Sequence, residues 1–386
     1  MSNRQETLFR IVVGLYEHNL LCLSLLLNPG AEPLFTPIFH FQAHMLSIKC
    51  IDIARRYLVT GSNDEHIRIY DLKKRKELGT LLSHQGTVTT LRFSGTTDED
   101  ATSAGKWLLL GSDDGRIIIW RSRDWELFGT LKGHQGRVTD LDIHPSGRVA
   151  ISVGSDHTVR LWNLMTAKKA AVLKIRGKDH VGQTPEKVRW TGDGSHFVVA
   201  LTNQIFVYAL GDKATIVNKL RFKTTLMCME VLQVAGTEYL ATGHSDGTVQ
   251  FHAVAAILSP QDEMPAAEFT LHGHSARIKG LSFLCSTADT HEVPYLVSVS
   301  SDGRIVVWDV SPDVRDQVAV YDSGQRLNCV SVCAESIENA EALKRRHEPV
   351  ENPEESEYES DGEELKVKKK RKWGKSLKPK VSVTLE

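Results

Sequence analysis

The chain has 386 residues, 41% of them apolar and 25% charged, with a formal net charge of −1. The apolar share suffices for a core, the near-neutral mean hides a strongly patterned tail, and length alone would suggest two or three domains. Six cysteines, Cys22, Cys50, Cys228, Cys285, Cys329 and Cys333, form no C-x-x-C pair and have no histidines at ligand spacing beside them, which argues against zinc and for a reducing compartment.

From the N-terminus, Ile11–Gly14 and the Leu-rich run Leu20–Leu27 read as strands. The second mimics a signal-peptide core, but Glu17-His18-Asn19 precedes it in place of a basic segment, and it is too short to span a membrane. Leu34–Phe41 follows and runs into Ala43-His44. The stretch Ser83–Val138 then supplies the unit that the rest of the chain varies. It holds an apolar alternation at Val88, Leu91 and Phe93, the run Trp107–Gly111, the turn Ser112-Asp113-Asp114-Gly115, and the runs Ile117–Trp120 and Leu127–Leu131. Gly133-His134 restarts the pattern. Short β-branched and aromatic runs bounded by Gly, Asp or Ser predict antiparallel strands joined by tight turns, four to a unit.

Anchors closing the third strand recur at Tyr70, Trp120, Trp162, Tyr208 and Trp308, with His252 in the corresponding place. Six residues earlier stands Asp64, Asp114, Asp156, Asp246 or Asp302 in five of the six repeats. An Asp there accepts from backbone N–H groups of the tight turn. This recurrence resembles the WD-repeat family, whose unit is a four-stranded propeller blade of roughly 40–45 residues. The resemblance implies that the Asp also orients a His at the blade's start, linked through a Ser to the Trp. On that pattern His84, Ser112, Asp114, Trp120 and His274, Ser300, Asp302, Trp308 form complete sets, whereas Gly154 stands at the Ser place of repeat three. A hydrolase triad is the competing reading. Repetition speaks against it, because a nucleophile needs exposure, an oxyanion hole and a unique site.

First strands are expected at Ile48–Ile53, Val88–Phe93, Val138–Ile143, Val188–Trp190, Leu226–Val231, Ile278–Phe283 and Leu327–Val332, one more than the six repeats. The last lacks three partners and the N-terminus supplies three, since Ile11–Gly14 aligns with Leu58–Gly61, placing Glu17 at the turn and Leu23 at the anchor. The expected fold is all-β: a seven-bladed WD-repeat β-propeller over residues 9–334, closed by N-terminal strands so that no edge is left open. Residues 335–386 read as a disordered acidic-then-basic tail.

The insertions Thr96–Lys106 and Ser286–Pro294, between first and second strands, and Leu258–Glu268, between third and fourth, fall on one face, where they serve partner contacts or are merely tolerated. On the opposite rim the residue before each first strand is Ser47, Thr87, Arg137, Thr184, Thr225, Arg277 or Arg326. Arg137, Arg277 and Arg326 would suit a partner's acidic peptide or phosphate backbone, or would pair with nearby turn carboxylates. In the tail, Glu348–Glu364 holds nine acids and no Lys or Arg, and Lys366–Lys380 nine bases and no acid. Lys368, Lys369, Lys370, Arg371 and Lys372 fit a nuclear-localisation signal or RNA-binding patch, with Trp373 able to stack on a base; a plain solvated tail is the alternative. Ser356 and Ser360 each have an acid three residues on, as an acid-directed kinase would require.

The segments YEHNLLCLSL and HPSGRVAISVGSDHTVRLWNL, with the Lys-rich tail, resemble one WD-repeat subfamily, that of the animal PAK-interacting protein and the fungal maintenance-of-killer factor. The resemblance implies a nuclear and nucleolar, non-catalytic scaffold in biogenesis of the large (60S) ribosomal subunit, binding pre-60S particle proteins or rRNA. The alternative is an adaptor that binds and negatively regulates a p21-activated-type protein kinase. Neither reading calls for a cofactor, metal, membrane or small-molecule substrate, and no Gly-rich phosphate loop or unique nucleophile–base pair argues for an enzyme.

Overall fold

An apolar run without polar alternation has to be covered on both faces. Trp107–Ser112 is such a run, buried throughout. Leu108 and Leu110 cluster with Val59 and Ile67 on one side, while Leu109 clusters with Val138 and Trp162 on the other. The sheet that carries it is therefore sandwiched between two others, and the same holds all the way round. The computed structural model describes residues 6–95, 104–175, 182–211, 214–259, 266–288 and 291–335, and contains seven four-stranded antiparallel sheets. Their first strands touch in cyclic order and line a central channel, whereas outer strands such as Lys168–Lys174 are largely exposed.

Blades 1 to 6 span Ile48–Leu81, Val88–Lys132, Val138–Lys174, Lys187–Arg221, Leu226–His272 and Ile278–Asp322. Blade 7 takes Leu327–Ala334 from the C-terminal side and Thr7–Leu15, Asn19–Leu27 and Leu34–Gln42 from the N-terminal side. The closing register runs from Phe9 opposite Ala334 to Leu15 opposite Leu327. Gly14 sits where Gly61 sits in blade 1, as the alignment requires. A Cβ on Gly14 would fall 2.6 Å from Cys329 Sγ and 2.7 Å from Ile48 Cγ2; on Gly61, 2.6 Å from Val88 Cγ1 and 2.7 Å from Cys50 Sγ. Glycine lets each second strand press between its own first strand and that of the next blade.

Two expectations need correction. The folded part does not stop at residue 334: Glu335 is 7% exposed and bonds Arg10 through Nε at 2.8 Å and Nη2 at 2.7 Å, with Ser24 Oγ at 3.2 Å. A guanidinium as buried as Arg10, 1% exposed, needs a counter-charge, and the residue after the last strand provides it. Ser286–Pro294 is no loop insertion, because strands Ile278–Ala288 and His291–Ser300 stay paired up to Ala288 opposite His291, so the extra residues lengthen a hairpin. Residues 96–103 and 260–265, within the insertions Thr96–Lys106 and Leu258–Glu268, lie outside the described residues; the described chain after Thr248–Ala253 forms the short helix Val254–Leu258, whose Val254 and Ile257 are buried.

Candidate functional site

Two constellations merit a functional test. In blade 3, His134 Nδ1 lies 3.0 Å from Asp156, its Nε2 lies 2.8 Å from Ser152 Oγ, and Trp162 Nε1 donates to the same Oγ at 2.8 Å. Blade 6 repeats the set with His274, Asp302, Ser298 and Trp308 at 3.2, 2.8 and 2.8 Å. The serine is thus Ser298 rather than Ser300. Trp308 stands opposite Leu296, so its indole reaches the diagonal neighbour two residues on but not the residue four on. Ser300 Oγ instead donates to the Ala276 carbonyl and accepts from Asp302 N–H.

The same two-residue shift completes blade 3, where Gly154 seemed to break the set, and dismantles blade 2. There Leu110 occupies the serine place and Ser112 Oγ donates to the Gly86 carbonyl. His84 keeps Asp114 at 3.1 Å, but His84 Nε2 and Trp120 Nε1 have no partner among the described residues. Blade 1 runs a variant through His44, Asp64 and Thr60.

Asp, His and Ser in this order look like a charge relay. Ser152 and Ser298 are both 0% exposed, and each oxygen is already taken by an indole N–H, so neither can meet a substrate. Burial also holds the His134 and His274 imidazoles below their ordinary value despite the facing carboxylates, so they stay neutral near pH 7. The sets tie each incoming loop to its turn. No group of three or more metal-ligating side chains occurs among the described residues, and no described helix is long and apolar enough to cross a membrane.

The second constellation is the channel mouth. Strand alternation turns one residue near the start of each first strand inward, and in three blades that mouth residue is Lys49, Lys187 or Lys279. With Arg137 they line a cavity of about 510 Å³. Burial lowers the Lys279 ammonium below its ordinary value, and the nearby charges of Arg277, Lys49 and Arg326 lower it further. Arg137, Arg277 and Arg326 are exposed, and none forms an ion pair among the described residues, so the pairing with turn carboxylates is not what they do. Arg326 instead lies over the Tyr16 ring at 5.0 Å. Beside them Tyr16, Met45 and Leu46 are 50%, 74% and 52% exposed, and Asn328 ties the adjoining loop down through Ser47 Oγ and the Ile48 carbonyl. Sequence reading found the rim arginines but missed the lysines and the apolar residues; inward alternation along the first strands was the available signal.

Deeper in, the channel is crossed. Arg92 of blade 2 bonds Glu230 of blade 5 at 2.7 and 2.9 Å, and Arg189 of blade 4 reaches Glu230 at 2.9 Å and Asp140 at 2.8 Å. Burial alone would raise the Asp140 carboxyl, but Lys187, Arg189 and Arg92 outweigh it and hold it at about 2. The mouth therefore holds four cations, Lys49, Arg137, Lys187 and Lys279, against the two carboxylates Asp113 and Glu186 in the same lining, above an ionic floor. Lys368–Lys372, Trp373, Ser356 and Ser360 lie outside the described residues.

Seven blades with recurring His–Asp ties define a WD-repeat propeller, and the family model for "WD domain, G-beta repeat" matches residues 35–71, 75–121, 125–163 and 267–309. Protein MAK11 of Saccharomyces cerevisiae is 49% identical, covering 98% of both chains. The p21-activated protein kinase-interacting protein 1 of Homo sapiens is 37% identical over 88% of this chain and 81% of its own, and Shk1 kinase-binding protein 15 of Schizosaccharomyces pombe 26% over 94% and 99%. The chain belongs to the WD-repeat family of MAK11 and p21-activated protein kinase-interacting protein 1.

Proposed function

We propose that the protein is a non-catalytic scaffold on precursors of the large ribosomal subunit, and that its channel mouth seats an acidic, apolar-anchored segment of a protein partner. The observation that carries the docking site is a cluster of cations, Lys49, Lys279, Arg277 and Arg326, without paired carboxylates among the described residues and beside exposed Tyr16, Met45 and Leu46. Like charges held this close favour an anionic occupant, and exposed aromatic and Met side chains next to Arg are the composition of a binding core rather than of ordinary surface. The subfamily resemblance directs the role to ribosome assembly in the nucleolus, with Lys368–Lys372 as the import signal.

The second reading, a kinase adaptor, has the names of two relatives behind it: one is called kinase-interacting and the other kinase-binding. Both readings use the mouth, so the test separates them by partner. Tagged protein should sediment with large-subunit precursors, and its depletion should lower the ratio of large to small subunits. Arg277→Glu with Arg326→Glu should release it from those particles while stability stays within about 0.5 kcal/mol, as for other exposed surface changes. Alanines at Lys368–Lys372 should reduce nuclear accumulation. A wild-type protein that never sediments with precursors, in cells whose subunit ratio ignores its depletion, would move the adaptor reading ahead.

A further inference from the structure

We infer that the cleft between blades 1 and 2, on the face opposite the mouth, binds the phosphate backbone of single-stranded RNA. Its walls come from turns that share that face: Arg55 and Arg56 between the first and second strands of blade 1, Lys73 between its third and fourth, and Lys106 and Arg123 at the equivalent turns of blade 2. These five cations, with Tyr57 and Ser122, enclose about 600 Å³, and no carboxylate lines it among the described residues. The acids on the same turns are already engaged. Asp71, 1% exposed, faces Arg56 at 3.4 Å, and Arg121 holds Asp124 and Glu126 at 2.6 and 2.5 Å. Arg55, Lys73, Lys106 and Arg123 are exposed, and none forms an ion pair among the described residues.

Aromatic rings are interleaved with these charges. The Arg56 guanidinium lies 5.0 Å over Tyr57, Trp125 meets Tyr57 edge-on at 5.1 Å, and Lys106 Nζ stands 5.4 Å from the Trp107 ring. A single phosphate would engage one or two cations and leave the rest repelling one another; a run of phosphodiesters neutralises all of them, and the partly exposed Tyr57 and Trp125 rings give bases a stacking surface, whereas Trp107 is buried. The chain's own acidic segment Glu348–Glu364 is the rival occupant, but it would leave the rings unused, and the nine bases that follow it oppose its approach. The site is independent of the mouth: failure of RNA binding would leave protein docking intact, and the reverse.

The test uses the full chain with Lys368–Lys372 changed to alanine, so that the basic tail does not mask the cleft, and a labelled 15-nucleotide oligouridylate titrated from 50 to 200 mM KCl. A second protein adds Arg55→Asn, Lys73→Ser, Lys106→Ser and Arg123→Ser; Asn suits the left-handed backbone at position 55, where φ is 54°. Arg56 is kept because it braces Asp71. With these four phosphate-binding cations removed, affinity should fall about tenfold or more, and the slope of log K against log salt should become shallower by about 2 to 3, at roughly 0.7 per phosphate. Photo-cross-links from 4-thiouridine should map to the turns around Tyr57, Lys106 and Arg123. Unchanged affinity and slope would overturn the assignment, whether the cleft is empty or holds the acidic segment. So would cross-links confined to the tail, tighter binding of the matching duplex, or polyglutamate competing as well as RNA of equal charge.

Discussion

His252 shows what a blade does without its indole. It is 2% exposed, lies edge-on to Phe222 at 5.6 Å, and has no hydrogen-bond partner at either ring nitrogen among the described residues. Burial, with a smaller push from His244, lowers its imidazole to about 4, so the fold holds it neutral while the unfolded chain protonates it near 6.5. The unfolded state then binds more protons between those values. Stability from this group is complete above pH 6.5 and is lost as pH falls toward 4, by up to about 3 kcal/mol. His252→Phe should gain about 1–3 kcal/mol at pH 7 and flatten that decline in urea melts; identical pH profiles would contradict it. Ser298→Ala strands His274 Nε2 and Trp308 Nε1 and should cost about 1–3 kcal/mol, non-additively with His274→Ala. Ser300→Ala should cost less and couple less to His274. Sequence located the His and Asp of each set because both sit at turns of fixed spacing. It missed the serine because Ser298 and Ser300 share a strand face, and only the register of Trp308 chooses between them.

The closing blade is the element on which the ring depends, and its clasp is Arg10 with Glu335. Glu335→Ala deprives a nearly inaccessible guanidinium of its carboxylate and should cost about 3–5 kcal/mol. Hydrogen exchange should then quicken first in Thr7–Leu15 and Leu327–Ala334; a loss below about 1 kcal/mol, or uniform exchange, would show that the clasp matters little. The pairing of the two chain ends was legible in the sequence, because Ile11–Gly14 reproduces the pattern of Leu58–Gly61 down to the glycine that two first strands squeeze. The clasp was not, since Glu335 opens a run whose composition reads as tail. The hairpin at Ala288–His291 was hidden for a related reason: lengthening a strand pair and inserting a loop look alike when the added residues are polar.

At the scale of the whole ring, Glu230 joins blade 5 to blades 2 and 4 across the channel, with partners 138 and 41 residues away that no local pattern could connect. Glu230→Ala leaves two arginines facing each other and should lower stability by about 2–4 kcal/mol, tempered by the partial exposure of Arg92 and by the Asp140 carboxylate that Arg189 keeps. An unchanged melting curve would mean that channel solvent screens the pair completely. The blade that draws on both ends of the chain also sets a timetable. Gln42 ends the three N-terminal strands, and about 285 residues separate it from Leu327, where their missing neighbour begins. At synthesis rates of about 5–20 residues per second, that is roughly 15–60 s during which Thr7–Leu15 offers an apolar, unpaired edge to everything around the nascent chain. Anything that covers that edge during synthesis would suppress wrong pairings, and an early stop before residue 327 leaves the first-made strands without the neighbour that Leu327–Ala334 supplies.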